Sequence, residues 1–393
     1  ATAWMVDREG HPQLLQRTNK QILGYIWRYV TLWLGMIPLE HEYKVMGLAP
    51  YGLSHAKAPR QVFDHVQAIR GGEWAVVNSF EHYDYVRNSL EGFRFDNVAA
   101  GLQEHTESLL LAWTKHLVRK TGAKKAVFAG GLGMNVKANG HLLRNAGLER
   151  LFVPPGADDE SLPLGACYLH HAGHIGRWGG GSALHSAYLG PDCAAGDPKL
   201  AVERCQTAGC KIVSSSTEEV ARLLAQYKTV GRCIGCMEFG PRALGNRSIL
   251  ARADSRSMVK TLNNQVKKRD WWMPFAPMAL ARHASHLFKG INAADASYMT
   301  LSYEATDLGK RELAAALHEV DSSGRPQIIE PGANPGVEDL LTAYEQQTGR
   351  LGLLNTSFNL HGEPIVLGPQ EAADTFLRSG LDVLWLENAL IIK

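Results

Sequence analysis

The sequence contains no run approaching the roughly 20 apolar residues that a membrane-spanning helix needs, although 45% of its 393 residues are hydrophobic. No membrane helix is expected. Its first residues, ATAWMVDREG, show no basic segment followed by an apolar one, so no secretory signal is read there. Cysteine is scarce: six in a chain of this length do not make a disulfide framework, and the expected compartment is the cytoplasm. Cys233 and Cys236 form a single CxxC with no second CxxC or His pair at zinc-finger spacing, which reads as two reduced thiols at a strand end. Charge of one sign is also missing, since 41 Lys and Arg face 39 Asp and Glu. No global field draws the chain to nucleic acid or an anionic membrane. What it has is length for two domains, each with an ample core.

Charge is concentrated locally. Met237 to Leu250, MEFGPRALGNRSIL, sets a carboxylate, two Arg and two Gly around Pro241, too polar and turn-rich for an ordinary core strand. Val266 to Pro277, VKKRDWWMPFAP, follows. Arg242, Arg247, Lys267, Lys268 and Arg269 are interleaved with Trp271, Trp272 and Phe275. Arg presents a planar fork matched to phosphate oxygens and Lys a point charge, so the cluster suits a nucleotide with its phosphates. On charge alone a solvated basic face stays open. A third stretch, Leu353 to Val366, LLNTSFNLHGEPIV, flanks Asn355, Thr356, Ser357 and Asn359 with apolar runs. Alternate positions of a strand share a face, so Ser357 and Asn359 are expected to point into one pocket.

These three segments together resemble the NodU/TobZ-type O-carbamoyltransferases. The resemblance implies an α/β chain in which the second lobe of an actin-like ATPase fold (ASKHA) precedes a YrdC-like α/β domain. The Lys-x-Arg and Ser-x-Asn signatures of that domain fall on Lys267 with Arg269 and on Ser357 with Asn359. Arg242 and Arg325 then serve as further phosphate forks, His318 as polar support, and Asn355 as a nucleotide contact. HEVDSSGRPQ, residues 318 to 327, resembles the family's His-x-Asp-Gly-Ser-x-Arg loosely; a turn held by Asp321 and Ser322 is the alternative. Cys236 stands where the family pattern often has Arg.

The first half supports the same reading. HEYKVMGLAPYG, residues 41 to 52, resembles the family's EEYKVMGLAPYG, with Glu42 and Lys44 either contacting substrate or forming a structural ion pair. Ala99 to Gly122 has the period of an amphipathic helix ended by glycine, with His105 and His116 on its surface. KAVFAGGLGMNVKAN, residues 125 to 139, runs from a strand through a glycine turn into a helix. Gly130, Gly131 and Gly133 admit a phosphate or ribose close to the backbone. Strand-helix junctions also need glycine for geometry alone. The resemblance adds Asn135 as a nucleotide contact. In PPGADDESLPLGA the acids read as helix-capping groups; the resemblance makes Asp159, with Asp158 the nearby alternative, a ligand to a divalent transition metal, Fe2+ in type.

The resemblance is partial. The family's early His-Asp motif, its His-x-x-x-His pair and its phosphate turn are not found, and the His170 and His174 pair lies downstream on a helix. Residues 1–178 are therefore expected to be the C-terminal part of the transfer domain, 179–205 a Gly/Pro-rich linker, and 206–393 the carbamoyl-adenylate-forming domain. Short elements are expected as well: a hairpin within Trp74 to Tyr85, helices at Thr217 to Tyr227 and Met258 to Lys267, and a closing strand at Leu381 to Ile392. The implied reaction uses ATP with Mg2+ and carbamoyl phosphate, and passes the carbamoyl group to a hydroxyl-bearing small molecule. The implied partner is a first lobe, in the same gene product or in a separate chain, and a homodimer stays open. Two alternatives stand beside it: a subunit that hands carbamoyl adenylate to a partner protein, and a non-catalytic truncated subunit.

Overall fold

Alternating side chains make Thr2–Val6 (β1) and Pro12–Arg17 (β2) an antiparallel hairpin. The computed structural model describes residues 1–78, 81–175 and 186–393. The chain divides into two units, Ala1–Leu184 and His185–Lys393. In the first unit Leu23–Trp33 (α1) buries Leu23, Ile26, Trp27 and Val30, the spacing of one helix face. Glu42–Leu48 (α2), a 3-10 turn at Ala49–His55 and Lys57–Asp64 (α3) follow. Gln67–Arg70 (β3) and Glu73–Val76 (β4) pair across Gly71 and Gly72, whose positive φ values of 60° and 86° make the tight turn. The hairpin expected at Trp74 to Tyr85 is thus displaced toward the N-terminus by this Gly-Gly turn; residues 79 and 80 lie outside the described residues, and His82–Ser89 (α4) is helical.

Phe95–Thr121 (α5) is the long helix of this unit, and Gly122 ends it in the left-handed conformation with its N–H on Val118 O at 2.8 Å. Elements pack closely against α5 where side chains are absent: a Cβ on Gly52 would stand 2.1 Å from Asp96 O. His105, expected on the surface, is fully buried on this helix, its Nδ1 2.8 Å from Asp64 Oδ1. The correction has a physical cause. His105 shares its helix face with Leu102, Leu109 and Thr106, which burial selects over its polarity. Lys125–Val127 (β5), Val136–Asn145 (α6) and Arg150–Phe152 (β6) form a β-α-β unit with β5 and β6 parallel, and Ser161–Ile175 (α7) follows.

The second unit is built on one mixed sheet of eight strands. Its elements are Pro198–Thr207 (α8), Lys211–Ser214 (β7), Thr217–Ala225 (α9), Val230–Cys233 (β8), Arg247–Arg252 (β9), Ser257–Leu262 (α10) and Ala276–Leu280 (β10). Ala284–Leu287 (α11), Tyr303–Glu304 (β11), Asp307–Glu312 (α12), Ser323–Gly324 (β12), Gln327–Ile329 (β13) and Pro335–Thr348 (α13) come next. Gly352–Ser357 (β14), Pro369–Arg378 (α14), Val383–Leu386 (β15) and Ala389–Ile392 (β16) complete it. Strand order is β13-β10-β14-β9-β8-β15-β16-β7, with β10–β13 and β8–β15 parallel and the other pairs antiparallel. The core joins α9 and α13 to the sheet through Val220, Leu224, Leu340 and Tyr344 against Val230, Leu250, Met278 and Leu353. These side chains are each buried, so each contributes about 1.5–3 kcal/mol over an exposed position.

The closing strand expected at Leu381 to Ile392 is instead the hairpin β15–β16, because Glu387 and Asn388 turn the chain between two apolar runs. The linker expected at 179–205 is also shorter on its C-terminal side. Residues 176–185 lie outside the described residues, but Gly190 donates to Met237 O at 2.9 Å, Cys193 to Gly235 O at 2.9 Å, and α8 begins at Pro198. Backbone donors within a Gly- and Pro-rich sequence have found acceptors in the second unit, which composition alone does not reveal.

Candidate functional site

Strands β8 and β9 are antiparallel neighbours, Cys233 opposite Arg247, so residues 234–246 form their connection. This connection carries the Glu-Phe-Gly-Pro-Arg motif. Its first half is paired by backbone with residues 187–193, Met237 N–H on Pro191 O at 2.9 Å and Phe239 N–H on Ala187 O at 2.6 Å. Side chains hold the backbone of its second half. Glu238 Oε1 accepts the N–H groups of Leu244 at 2.6 Å, Asn246 at 2.9 Å and Arg247 at 3.3 Å. The Leu244 carbonyl accepts from Tyr188 Oη at 2.7 Å and Gln327 Nε2 at 2.6 Å, and the Ala243 carbonyl from Asn355 Nδ2 at 3.0 Å. Arg232 Nη1 reaches Gly245 O at 2.9 Å and Asn246 Oδ1 at 2.7 Å, and Asn334 also donates to Asn246 Oδ1 at 3.0 Å. Buried irregular backbone is tolerated only when its polar groups are satisfied in this way.

Arg247 belongs to the same scaffold and not to the anion cluster the sequence suggested. It is fully buried, and its guanidinium donates to the carbonyls of Leu367, Ile234, Gly235, Asn246 and Pro191 at 2.9–3.3 Å. Arg232 is likewise buried, 5.0 Å from the Trp385 ring; burial pulls its pKa down to about 10 against the opposing charge effects of Tyr188 and Glu238.

Lys267 lies at the end of a π-turn, Asn263–Lys267, that widens the end of α10. Lys268 follows with φ +42°, a left-handed turn that redirects the chain into Arg269. The Lys267 ammonium donates to Ser357 O at 2.5 Å, Ser357 Oγ at 3.1 Å, Asn359 Oδ1 at 2.6 Å and Asn359 O at 3.2 Å. Ser357 Oγ donates in turn to Asn359 Oδ1 at 2.7 Å, and Asn359 Nδ2 to Glu363 O at 2.6 Å. Lys267 and the Ser357–Asn359 pair, separated by 90 residues of sequence, therefore meet as one hydrogen-bonded knot, with Arg269 close enough for its charge to act on Lys267. Burial, then the charge of Arg269, pulls the Lys267 ammonium well below its ordinary range.

Three guanidiniums share this neighbourhood. Burial, then the charges of Arg242 and Arg269, push Arg325 well below its usual value. Arg269 packs 3.9 Å from the centre of the Phe275 ring and donates to Met273 O at 3.2 Å, while Arg325 Nη1 meets Met299 Sδ at 3.6 Å. Neither Lys267 nor Arg325 has a carboxylate among its ion partners within the described residues. Like charges held close together raise the free energy of the empty site, and a polyanion relieves them.

Other expected residues lie elsewhere. Asn355 is buried beneath the cluster, its amide nitrogen on Ala243 O and on Gln327 Oε1 at 2.8 Å. His318 is buried at the start of a tight turn: its Nδ1 accepts Val320 N–H at 3.3 Å, and Ser323 N–H reaches Asp321 Oδ1 at 2.9 Å. In the first unit Gly130 has φ +104° and donates to Ala157 O at 2.6 Å. A Cβ on Gly131 would meet the Asp158 carboxylate at 3.3 Å, and one on Gly133 would meet Ala157 Cβ at 3.3 Å. Burial, then Asp159 and Glu160, raise the Asp158 pKa. Asn135 caps α6 by accepting Ala138 N–H at 3.0 Å and pairs its amide with Gln103. Glu42 closes the preceding turn by accepting Leu39 N–H at 2.8 Å.

The resemblance sets Asp159 beside a His-x-x-x-His pair of a first lobe, and no such pair precedes Asp159 in this sequence. Among the described residues the grouping of three candidate ligands is Asp7, Glu9 and His11, all exposed in the first hairpin, and His170 and His174 are exposed on α7. Asp159 stands between the Asp158 and Glu160 carboxylates, and a transition metal held there would draw its imidazoles from outside these residues. The expected CxxC is also rearranged: Cys233 Sγ lies 3.3 Å from Cys193 Sγ, while Cys236 is 3.6 Å from Asp192 Oδ2.

The residues that sequence reasoning did not single out are the scaffold ones: Tyr188, Arg232, Asn246, Gln327 and Asn334. Glu238 was visible as the acid of the motif, and its signal was an isolated carboxylate placed before a run of backbone donors in a Gly/Pro loop.

Comparison with known proteins agrees with the order of these parts. Residues 3–168 match the family model described as Carbamoyltransferase N-terminus, and residues 221–393 the one described as Carbamoyltransferase C-terminus. Nodulation protein NolO of Bradyrhizobium diazoefficiens is 32% identical over 399 residues, covering 97% of this chain and 71% of that protein. Nodulation protein NolNO of Sinorhizobium fredii is 32% identical over 390 residues, 94% of this chain but 55% of its own length. Nodulation protein U of Rhizobium tropici is 32% identical over 334 residues, 83% of this chain and 54% of its own. The chain thus spans little more than half of two of these relatives. A likeness to full-length HypF, TM-score 0.31 at 14% identity over 45% of this chain and 24% of that one, is too partial to bear on the fold. No helix among the described residues is long and apolar enough to cross a membrane. With the two halves matching the paired models in order, and NolO covered over 71% of its length at 32% identity, the chain belongs to the carbamoyltransferase family.

Proposed function

We propose that the second unit activates a carbamoyl group as carbamoyl adenylate, for transfer to a hydroxyl of a small molecule. The observation that carries this reading is the convergence of Arg242, Arg269 and Arg325 beside the Lys267–Ser357–Asn359 knot. Carbamoyl phosphate and water give carbamate and inorganic phosphate. A carbamate oxygen then bonds to the α-phosphorus of ATP as the bond from that phosphorus to the bridging oxygen breaks, and pyrophosphate leaves with that oxygen. The barrier is the crowding of negative charge, and preorganised guanidiniums lower it without reorganising solvent. Ser357 and Asn359, fixed by Lys267, present polar atoms that orient the carbamoyl or phosphate group. Mg2+ enters with the triphosphate as part of the substrate. An acceptor hydroxyl finally attacks the carbamoyl carbon and AMP departs.

In this reading the second unit is the YrdC-like part and the first unit a portion of the actin-like transfer domain, completed by a further lobe. The large mixed α/β sheet and the hydrogen bonds of Lys267 to Ser357 and Asn359 support the first assignment. The test is carbamoyl-phosphate-dependent exchange of labelled pyrophosphate into ATP by this chain, with Arg269→Ala as the comparison. Exchange abolished by the substitution is expected. A folded, ATP-binding chain that shows no exchange overturns the proposal of adenylation by this unit alone.

A further inference from the structure

The anion cluster takes Arg242, Arg269 and Arg325 from irregular segments, while Lys267 ends a helix. Arg242 rides on the second half of the β8–β9 connection, beyond the backbone hydrogen bonds that Met237 and Phe239 make to Pro191 and Ala187. The place of its Cα therefore depends on what fixes that half. Between Glu238 and Arg247 the chain leaves the carboxylate, passes Gly240, which has φ +101°, then Pro241, Arg242 and Ala243, and returns to the same carboxylate at Leu244 N–H. Asn246 and Arg247 N–H close onto the same oxygen at 2.9 and 3.3 Å. Glu238 is buried, and three donors on one carboxylate oxygen make a closed ring with Arg242 at its far side.

We infer that Glu238 is the positioning residue that holds Arg242 in the anion cluster, acting through the backbone of residues 243–247 and not by touching substrate. The inference rests on the anion-binding reading of the cluster. Hydrogen bonds to a charged acceptor are the stronger kind, so the ring is held more firmly than water could hold it. The carbonyl side of the same loop is anchored independently by Tyr188, Gln327 and Asn355, so loss of Glu238 leaves Gly245 N–H on Ser248 Oγ at 2.9 Å as an amide anchor and loosens the segment that carries Arg242, while β8 and β9 stay paired. Glu238 is also separate from the Lys267 knot, whose hydrogen bonds run to Ser357 and Asn359.

The test is a coupling measurement on the full chain, with ATP and inorganic pyrophosphate as titrants in calorimetry. Arg242→Ala is expected to weaken ATP binding about tenfold or more, the loss of one charged contact to phosphate. Glu238→Ala should weaken it by a similar factor, and the double variant should be no weaker than either alone to within about twofold, because both remove the same contact. Glu238→Ala combined with Arg269→Ala should instead multiply. Glu238→Gln retains a side-chain oxygen that accepts the same N–H groups and is expected to bind within about threefold of the parent. Losses of Glu238→Ala and Arg242→Ala that multiply overturn the inference, since Glu238 would then act on binding by a route other than Arg242. If Glu238→Ala does not fold, Glu238→Asp decides: its arm is one methylene shorter and cannot reach three donors, so unchanged affinity refutes the role and loss that is absent on an Arg242→Ala background supports it. If Arg242→Ala and Arg269→Ala both leave ATP binding intact, the anion reading itself falls, an outcome distinct from failure of the coupling.

Discussion

Replacing Arg247 by Met removes five hydrogen bonds to backbone carbonyls, those of Leu367, Ile234, Gly235, Asn246 and Pro191. Each such bond contributes on the order of 1 kcal/mol net, and each carbonyl left buried without a donor costs about 1–3 kcal/mol. Some of these carbonyls will recruit water, and the unpaired charge no longer has to be buried, which offsets part of the loss. The expected destabilisation is about 3–5 kcal/mol. Arg242→Met in the same motif should behave oppositely. It removes a half-buried positive charge that acts against Arg325, so the loss of stability should be well below that of Arg247→Met while ATP affinity falls. The assay is urea unfolding followed by tryptophan fluorescence, read as a shift in midpoint at constant slope, beside calorimetric titration of ATP. A loss below about 1 kcal/mol for Arg247→Met, or an equal loss for Arg242→Met, refutes the division of these two arginines into scaffold and site.

Further expectations concern thiols, acid and glycine. In native protein Cys167, exposed on α7, should alkylate first, while buried Cys205, whose thiol burial pushes up to about 11, should react only in denaturant; mass spectrometry of labelled peptides checks the order. Asp254 is held below its ordinary value: burial raises it, but the hydrogen bond from Arg252 and the charges of Arg252 and Arg350 prevail. A depressed carboxylate contributes stability above its unfolded value of 3.8 that is lost as pH falls through the lower folded value, so Asp254→Asn should flatten the acid limb of stability against pH. Gly245 has φ +116°, and a Cβ there would stand 2.7 Å from Val337 Cγ2, so Gly245→Ala should destabilise by about 2 kcal/mol or more in the same urea assay.

The cluster was legible in sequence because its parts carry their own chemistry. Lys267, Arg269, Ser357 and Asn359 are polar residues in apolar surroundings, and strand alternation puts Ser357 and Asn359 within reach of a common partner, Lys267. What sequence did not separate is Arg242 from Arg247. Both are arginines in one glycine-rich loop, and only the positions of the Pro191, Ile234 and Leu367 carbonyls in space decide which is consumed by backbone. Asn355 illustrates the same limit: it alternates with Ser357 along β14, but its amide meets Ala243 and Gln327 from distant segments. His105 failed for another reason, since a histidine on an otherwise apolar helix face is buried whenever one acceptor, here Asp64, is at hand. Glycine misled in the β3–β4 hairpin, because Gly71 and Gly72 set a turn that composition spreads over a wider window.

The β8–β9 connection is held by side chains from Tyr188, Arg232, Gln327, Asn334 and Asn355, which are scattered over most of the second unit's length. Its shape is therefore not encoded in its own residues alone, Glu238 and Asn246 included, but depends on the rest of the unit, and a peptide of that segment would not keep it. A partly folded chain with the central strands formed and β13 undocked would lack Gln327 beneath Leu244. Under the proposed function, nucleotide affinity becomes a readout of complete folding, and by mass action any ligand of the site selects the finished unit over every intermediate.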